Sequence, residues 1–436
     1  METVEKGQPF PCIEASSASL RTSNPIREVV DRIDTSQMNK SKPMIPLSIG
    51  DPTVFGNLNA CEETIQAVVE VTKSCQANGY PKAVGMIEAR TAIAKEFTVP
   101  NCSLTPADVI LTSGCSHALQ LCLEVLLEPG KNILIPNPGF PLYKTICDYI
   151  GAETRGYKLS PERGWQIDLK HLRALIDSNT RAILINNPSN PCGAVYPKSH
   201  LCEILKVAEE AKLPIIADEI YHQIVFPGNE SIPIASLTNV VPVLSVGGLA
   251  KRFLVPGWRL GWIIVYDHHN VFSQVREGLE RLSTLIMGAN SLIQAALPKI
   301  IQNVPTSWHL SVLRNLHMQA NYSYERLSHM NGLEPVMPQG SMYIMVGIQI
   351  EKSRDIKNDI DFCQKLLNEE SVFVLPGQCF GASNYFRIVF CAPMDKLAEV
   401  GVLQDVMKLY LLIGYLRLFF QAYNRMSDFC RRHMRS

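Results

Sequence analysis

The sequence predicts an α/β fold: a large domain with a mostly parallel sheet between helices, then a smaller α+β domain toward the C-terminus. Three observations predict it. Short, wholly apolar runs alternate with helical patterns from about residue 108 onward. The runs end at Gly, Pro, Asn, Asp or Ser, the residues that punctuate strand ends. After about residue 300 the alternation gives way to a long helical stretch and then a strand, MYIMVGI. Strands apolar on both faces and spaced by helices belong to a parallel sheet covered on both sides. A chain of 436 residues with 46% hydrophobic content is long enough for one large and one smaller core.

Along the chain, residues 1–22 are polar and Ser-rich, and are expected to be disordered. Ser23-Asn24-Pro25-Ile26 reads as a helix start, with Pro just inside and Ile26, Val29, Val30 and Ile33 on one apolar face. Residues 46–59 are rich in Gly, Pro, Asp and Asn and read as a loop. The strand runs are Val109–Thr112, Ile133–Pro136, Ala182–Asn186, Pro214–Ala217, Val241–Val246 and Trp262–Tyr266. Helices are expected over Ser116–Leu127, Tyr143–Ile150, Leu201–Ala211 and Thr306–Met330.

Composition narrows the function. Formal net charge is zero, so no basic face for nucleic acid is implied. The apolar stretch between Leu409 and Phe420 is interrupted by Arg417 and falls short of the roughly 20 residues a membrane span needs. The N-terminal residues METVEKGQPF lack the apolar core of a signal peptide and the Arg-rich character of a transit peptide. The thirteen cysteines form no CxxC pair or regular framework, which implies reduced thiols and a cytoplasmic location. His222 stands apart from any cluster with metal-ligand spacing, so no metal is expected.

In such a sheet, ligands bind beyond the carboxyl ends of the strands. The run 109–112 is followed by Ser113-Gly114-Cys115-Ser116, small residues that let backbone N–H groups approach a phosphate at a helix N-terminus. The plainer reading is an ordinary cap, with Ser116 as the capping residue. The run 182–186 is followed by NPSNPCG, where Asn190 either completes a rigid turn or points its amide at a ligand. Asp218 ends the run 214–217, and a buried carboxylate is costly unless a cation meets it. Lys251 follows the Gly247-Gly248 pair. There it is either a solvated surface lysine or a cleft lysine whose amine, stripped of water, serves as a nucleophile. Arg259 is either a bidentate phosphate ligand or part of a routine ion pair.

Taken together, the motifs SNPIR (23–27), SIGDPT (48–53), Tyr80 with Gly85, TSGCS (112–116), PNPGFPLY (136–143), NNPSNPCG (186–193), ADEIY (217–221), GGLAKRFLVPGWRLGW (247–262), PQGSMYIMVGI (338–348) and FRIV (386–389) resemble the fold-type I, class-I pyridoxal-phosphate-dependent aminotransferases, and within them the tyrosine aminotransferase group. The similarity covers about residues 20–399, and the order and spacing of many motifs, rather than any one, make it specific.

The resemblance implies a seven-stranded sheet and a division into a disordered segment 1–22, an N-terminal helix and substrate loop 23–75 belonging to the small domain, a large cofactor domain 76–305 and a small domain 306–436. It implies pyridoxal 5'-phosphate as cofactor and tyrosine, or another aromatic amino acid, with 2-oxoglutarate as substrates. Lys251 then resembles the lysine that holds the cofactor as a Schiff base and shuttles the α-proton. Asp218 resembles the acid facing the pyridine nitrogen, and Tyr221 and Asn190 the donors to the phenolic oxygen. Phe140 resembles the ring that stacks on the cofactor. Ser113, Gly114, Cys115 and Arg259 resemble the phosphate site, and Arg387 the clamp on the substrate α-carboxylate, with the Gly50 backbone beside it. Tyr80 resembles a tyrosine that reaches the phosphate of the neighbouring subunit, which implies a homodimer. Two places depart from the pattern: Gly248 stands where many relatives carry a phosphate-binding Ser, and STLIMGANS (283–291) is unlike the family. A carbon–sulfur lyase, an alanine-type aminotransferase and a non-catalytic binding protein remain alternatives on the same residues.

One segment breaks the resemblance. The family pattern through FRIVFCAPMDKLAE normally continues into a terminal helix, but here residues 400–421 intervene. Joining Glu399 to Ala422 places Leu397, Tyr423, Met426 and Cys430 on one helical stripe. The segment is therefore expected to be an atypical insertion; a helix packed on the small domain is the other reading.

Overall fold

A computed structural model describes residues 12–392 and 421–435. Nearly all of the 400–421 insertion lies outside these residues, Gln421 alone excepted, as does the apolar stretch 409–420. An eight-stranded sheet organises the larger part, in the spatial order 109–112, 261–266, 243–248, 215–218, 180–186, 132–137, 153–160 and 166–167. The strand 261–266 runs antiparallel to both neighbours, and 166–167 is antiparallel to 153–160; the other pairings are parallel. Seven strands were expected, and the eighth is the two-residue edge piece Gln166–Ile167.

The apolar runs become central strands because both of their faces are covered. Along 180–186, Ala182 and Leu184 enter one core with Ile216 and Leu244, while Ile183 and Ile185 enter the opposite core with Ile215 and Ala217. The strand Glu153–Ser160, which lacks such a run, sits near the sheet edge with its first half only partly covered.

A four-stranded antiparallel sheet, in the order 333–335, 343–348, 385–389 and 375–376, organises the C-terminal part. Its core includes Phe362, Phe386 and Phe390, and it continues into a helix over 421–433 that buries Ala422, Tyr423, Met426, Phe429 and Cys430. A further parallel pair joins Ile45–Pro46 to Val372–Phe373 and so ties the N-terminal segment to this part.

The N-terminal region is more ordered than its composition implies. Within the segment expected to be disordered, Ser17–Arg21 forms a short helix capped by Ser16, and Arg21 donates to the carbonyls of Asp148 and Tyr149. Those carbonyls lie at the end of the helix Leu142–Ile150, where unpaired acceptors attract a cation. The helix at the SNPIR motif spans Pro25–Val30, one turn shorter than the apolar face running to Ile33, with the Asn24 side chain capping Ile26 and Arg27 N–H. Among the described residues, no helix is long and apolar enough to cross a membrane, and no His, Cys, Asp and Glu cluster has metal-site geometry. All thirteen cysteines are free.

Candidate active site

Five parallel strands deliver their carboxyl ends to one edge of the large sheet, so the residues after 109–112, 132–137, 180–186, 215–218 and 243–248 converge there. A cavity of about 580 Å³ lies at this edge, roofed by the loop at 48–51, the helix Pro25–Val30 and the strand 385–389. Lys251, Asp218, Tyr221, Cys115, Phe140, Asn190, Arg259, Gly50 and Arg387 all line it. Ser113 and Gly114 lie directly behind the wall, and Tyr80 is elsewhere, itself 86% exposed.

Asp218 is 3% exposed. The Tyr143 hydroxyl donates to its Oδ2 at 2.6 Å, the Ile220 N–H to its Oδ1 at 3.2 Å, and the Cys115 thiol lies 3.8 Å from Oδ1. Burial raises its pKa to about 6, and these three donors act against that rise. No side-chain cation pairs with this carboxylate among the described residues, so it has room for a cation from a ligand.

Lys251 lies on the four-residue helix Leu249–Arg252. Its Nζ donates to the Gly50 carbonyl and sits 5.9 Å from the Tyr221 ring centroid. The preceding glycines are explained by space. A Cβ at Gly247 would come within 2.6 Å of Trp262 Nε1, and one at Gly248 within 2.9 Å of the Leu260 carbonyl oxygen. A side chain at position 248 would therefore collide with the neighbouring strand's backbone.

The residue capping the helix Cys115–Leu126 is Gly114, not Ser116, and no side chain caps it. Its φ of +78° belongs to the glycine-favoured region, and a Cβ there would meet Arg259 Nη2 at 2.5 Å. Arg259 itself donates to the carbonyls of Pro256 and Ser113. An uncapped helix N-terminus with a guanidinium against it is suited to an anion.

Arg387 is buried in the strand 385–389, between the rings of Tyr343 and Phe380 at 4.5 and 4.6 Å. Its Nη1 donates to Asn190 Oδ1 at 2.9 Å and Nη2 to the Ser48 carbonyl at 2.7 Å, while Nε has no partner. Burial lowers its pKa. A buried donor without an acceptor is the kind of group a substrate carboxylate satisfies. Tyr221 and Tyr343 pair through their hydroxyls at 2.6 Å, and burial followed by the neighbouring Tyr343 pushes the Tyr221 phenol well up.

Three side chains of this site escaped the sequence reading. Tyr143 belongs to the motif PNPGFPLY, on the first turn of the helix that follows Phe140, and its ring meets Phe140 edge to face at 5.7 Å; the motif alone gives it no role. Tyr343 read only as an apolar strand residue. Arg27 read only as part of a helix start, yet it lines the cavity. Nothing in the linear spacing brings Tyr343 or Arg27 to Asp218; only the fold does. His222 has a structural place, with Nδ1 2.9 Å from Ser231 Oγ and its pKa pushed down to about 4 by burial and then by Arg252.

These features fit pyridoxal phosphate: a buried acid with space for a ring cation, a lysine amine in the same cavity, and an uncapped, glycine-led helix start beside an arginine. The comparisons with known proteins agree. Residues 42–401 match the family model for aminotransferase class I and II. A tyrosine aminotransferase of Dictyostelium discoideum is 46% identical over 97% of each chain, and the human tyrosine aminotransferase is 44% identical over 97% of this chain and 88% of its own. The crystal structure of the Leishmania infantum tyrosine aminotransferase superposes with a TM-score of 0.88 at 34% identity, covering 98% of this chain and 100% of that one. A sheet edge built this way, and a match running through most of its length, make the chain a member of the class I and II aminotransferases.

Proposed function

We propose that this chain is a pyridoxal-phosphate-dependent aminotransferase that moves the amino group of tyrosine, or a related aromatic amino acid, to 2-oxoglutarate, giving 4-hydroxyphenylpyruvate and glutamate. The reading is carried by one observation: Lys251, Asp218 and the incompletely paired Arg387 share a single cavity. When bound, the cofactor supplies an electron sink that stabilises negative charge at the substrate α-carbon.

The chain's residues do the rest. Lys251 would hold the cofactor through its amine and, once displaced by substrate, take and return the proton at the α-carbon. Asp218 would keep the ring nitrogen protonated by offering its buried negative charge. Tyr221 and Asn190 would donate to the phenolic oxygen, and Phe140 would cover one face of the ring. Ser113, Gly114 and Cys115 would bind phosphate through backbone N–H groups, with Arg259 supplying the cation. Arg387 would grip the α-carboxylate, with Gly50 alongside. Ile26, Val30, Phe373 and Leu375 give the cavity the apolar wall that an aromatic side chain needs. Both half-reactions use this one site, so the kinetics should be ping-pong.

The exposed Tyr80 loop neighbours another exposed apolar strip. Leu285, Ile286 and Met287 precede Gly288, where a Cβ would lie 3.3 Å from the carbonyl oxygens of Lys82 and Ala83. Covering this surface with a second copy of the chain would shield it and let Tyr80 reach the neighbour's phosphate site, so the working form is a homodimer; the thirteen free thiols favour a reducing, cytoplasmic setting for it.

The test is purified protein supplied with cofactor, tyrosine and 2-oxoglutarate, with the cofactor absorbance recorded, followed by borohydride reduction and peptide mapping. Turnover and a pyridoxyl tag on Lys251 are expected, and Lys251→Ala should lose both. A tag on another residue of well-folded, cofactor-supplied protein would overturn the assignment.

A further inference from the structure

In the motif ADEIY (217–221), Asp218 and Tyr221 have roles at the cofactor, and Glu219 between them has none. The two acids leave the sheet on opposite faces. Asp218 meets Tyr143 and Cys115, which belong to one core; Glu219 meets Ser245 and Ile234, and Ile234 belongs to the other.

A carboxyl set against an apolar core is costly unless it is bonded. Both oxygens of Glu219 are. The Ser245 hydroxyl donates to Oε2 at 2.6 Å, and the Ile234 N–H donates to Oε1 at 3.1 Å. The charged and titratable groups around it are bonded elsewhere: Arg252 to Glu96, His222 to Ser231, and Tyr266 to the Phe97 carbonyl. Among the described residues, the partners of Glu219 are thus a hydroxyl and a backbone N–H, not a cation.

Those bonds join two parts of the active site. Ser245 lies within the strand 243–248, which leads through Gly247 and Gly248 into the short helix holding Lys251. Glu219 opens the turn from Asp218 to Tyr221, and its own N–H donates to the Val246 carbonyl at 3.0 Å. Backbone and side chain of one residue therefore tie the segment bearing Asp218 and Tyr221 to the segment bearing Lys251. Burial pushes the Glu219 carboxyl up to about 7 against the pull of its two donors, and the charge of Asp218 adds to the rise. Both forms are populated near neutral pH, and either keeps the tie. The carboxylate accepts both bonds; the acid donates to Ser245 Oγ through one oxygen while the other still accepts from Ile234.

We propose that Glu219 is a positioning residue for the transamination, holding Asp218, Tyr221 and Lys251 at fixed separations by tying the segments that carry them through Ser245 and Ile234. This rests on the aminotransferase reading above and deepens it. Rate falls steeply when reacting groups drift by about 1 Å. Binding of the substrate carboxylate by Arg387, on the other sheet, depends little on this tie.

The experiment compares wild-type holoenzyme with Glu219→Gln, which keeps both bonds, Glu219→Met, which removes them at similar length, and Ser245→Ala, which removes one. One readout is kcat and KM for tyrosine and 2-oxoglutarate. The other is the pH midpoint of the bound cofactor's absorbance change, which reports the surroundings of the Lys251 amine without turnover. Glu219→Met should lower kcat about tenfold or more with both KM values within about twofold, and should move the midpoint by about half a pH unit or more. Glu219→Gln should restore both toward wild type, which a role resting on charge alone would not allow. Ser245→Ala should move both in the same direction as Glu219→Met, and combining the two should be no worse than Glu219→Met alone. A methionine variant with unchanged kcat and midpoint, a glutamine variant as impaired as methionine, or additive losses in the double variant would overturn the proposal. Should Glu219→Met fail to fold, Ser245→Ala decides, and no change in its kcat or midpoint overturns the proposal. A wild type that does not transaminate tyrosine would refute the reaction instead, and the absorbance midpoints would still decide the role of Glu219.

Discussion

The Tyr143 hydroxyl donates to Asp218 Oδ2 at 2.6 Å within the buried floor of the cavity. Tyr143 reaches that position because the strand 132–137 and the helix Leu142–Ile150 bring it beside the end of the strand 215–218. Burial favours the neutral form of Asp218 and the phenol favours its charge, so Tyr143 sets how much of the carboxylate is ionised near neutral pH.

Tyr143→Phe should therefore raise the Asp218 pKa above its value of about 6. A bond from a neutral donor to a charged acceptor contributes about 1.5–3 kcal/mol. The pH midpoint for cofactor association with cofactor-free protein should move upward. The kcat should fall by roughly tenfold, since 1.4 kcal/mol corresponds to one power of ten. The measurement is cofactor association followed across pH in both proteins, with circular dichroism to check folding. An unchanged midpoint in a folded variant would show that the phenol has no electrostatic part.

Asp218 also gives stability a pH dependence in the cofactor-free protein. Its folded pKa of about 6 exceeds the usual value of about 3.9 for an unfolded chain, so folding favours the protonated form. The contribution is complete below about pH 4 and disappears as pH rises through 6. Glu219, raised to about 7 mainly by burial, acts in the same direction, while His222 and His309, pushed down to about 4 by burial, act oppositely over an overlapping range. The whole-protein curve therefore mixes signs, and the informative quantity is the difference between wild type and Asp218→Asn. That difference should shift by about 1.5 kcal/mol against wild type between pH 5 and pH 8 in denaturant titrations. A flat difference would mean that Asp218 is ionised throughout, and that the surrounding donors outweigh its burial.

Much of this organisation was legible in the sequence because burial on two faces leaves a plain signature. Runs such as Ala182–Asn186 and Trp262–Tyr266 fall inside observed strands, and the polar residues that follow the parallel strands meet at one edge. The strand Glu153–Ser160 went unread because its first half is half-covered and polar, so neither an apolar run nor a clean alternation marks it. The helix Ser291–Asn303 was hidden by Pro298 in its interior. Within the site, residues punctuating strand ends were readable one by one. Contacts between distant segments, such as Tyr221 with Tyr343 or Arg387 with Ser48, follow from how the two sheets meet and have no local signal.

The helix 421–433 buries Tyr423, Met426, Phe429 and Cys430 in the same cluster that contains Phe390, Cys391 and Ala392. Both flanks of the intervening segment are thus anchored in one core. Three of the four stripe positions obtained by joining Glu399 to Ala422 are also buried there, and the fourth, Leu397, lies outside the described residues. The family match ends at residue 401, one residue past the point where the departure from the pattern begins. Deleting Val400–Gln421 should therefore leave a soluble protein that binds cofactor, with a melting temperature within a few degrees of the full chain, because the helix needs only Leu397 and the residues after Gln421 to present its apolar stripe. Gln421 would be lost with its contact to Arg425, but Arg425 keeps its bonds to the carbonyls of Pro43 and Glu370. If the segment were instead a helix packed on the small domain, its removal would uncover apolar core and cost several kcal/mol. Insoluble or inactive deletion protein would establish that alternative and end the insertion hypothesis.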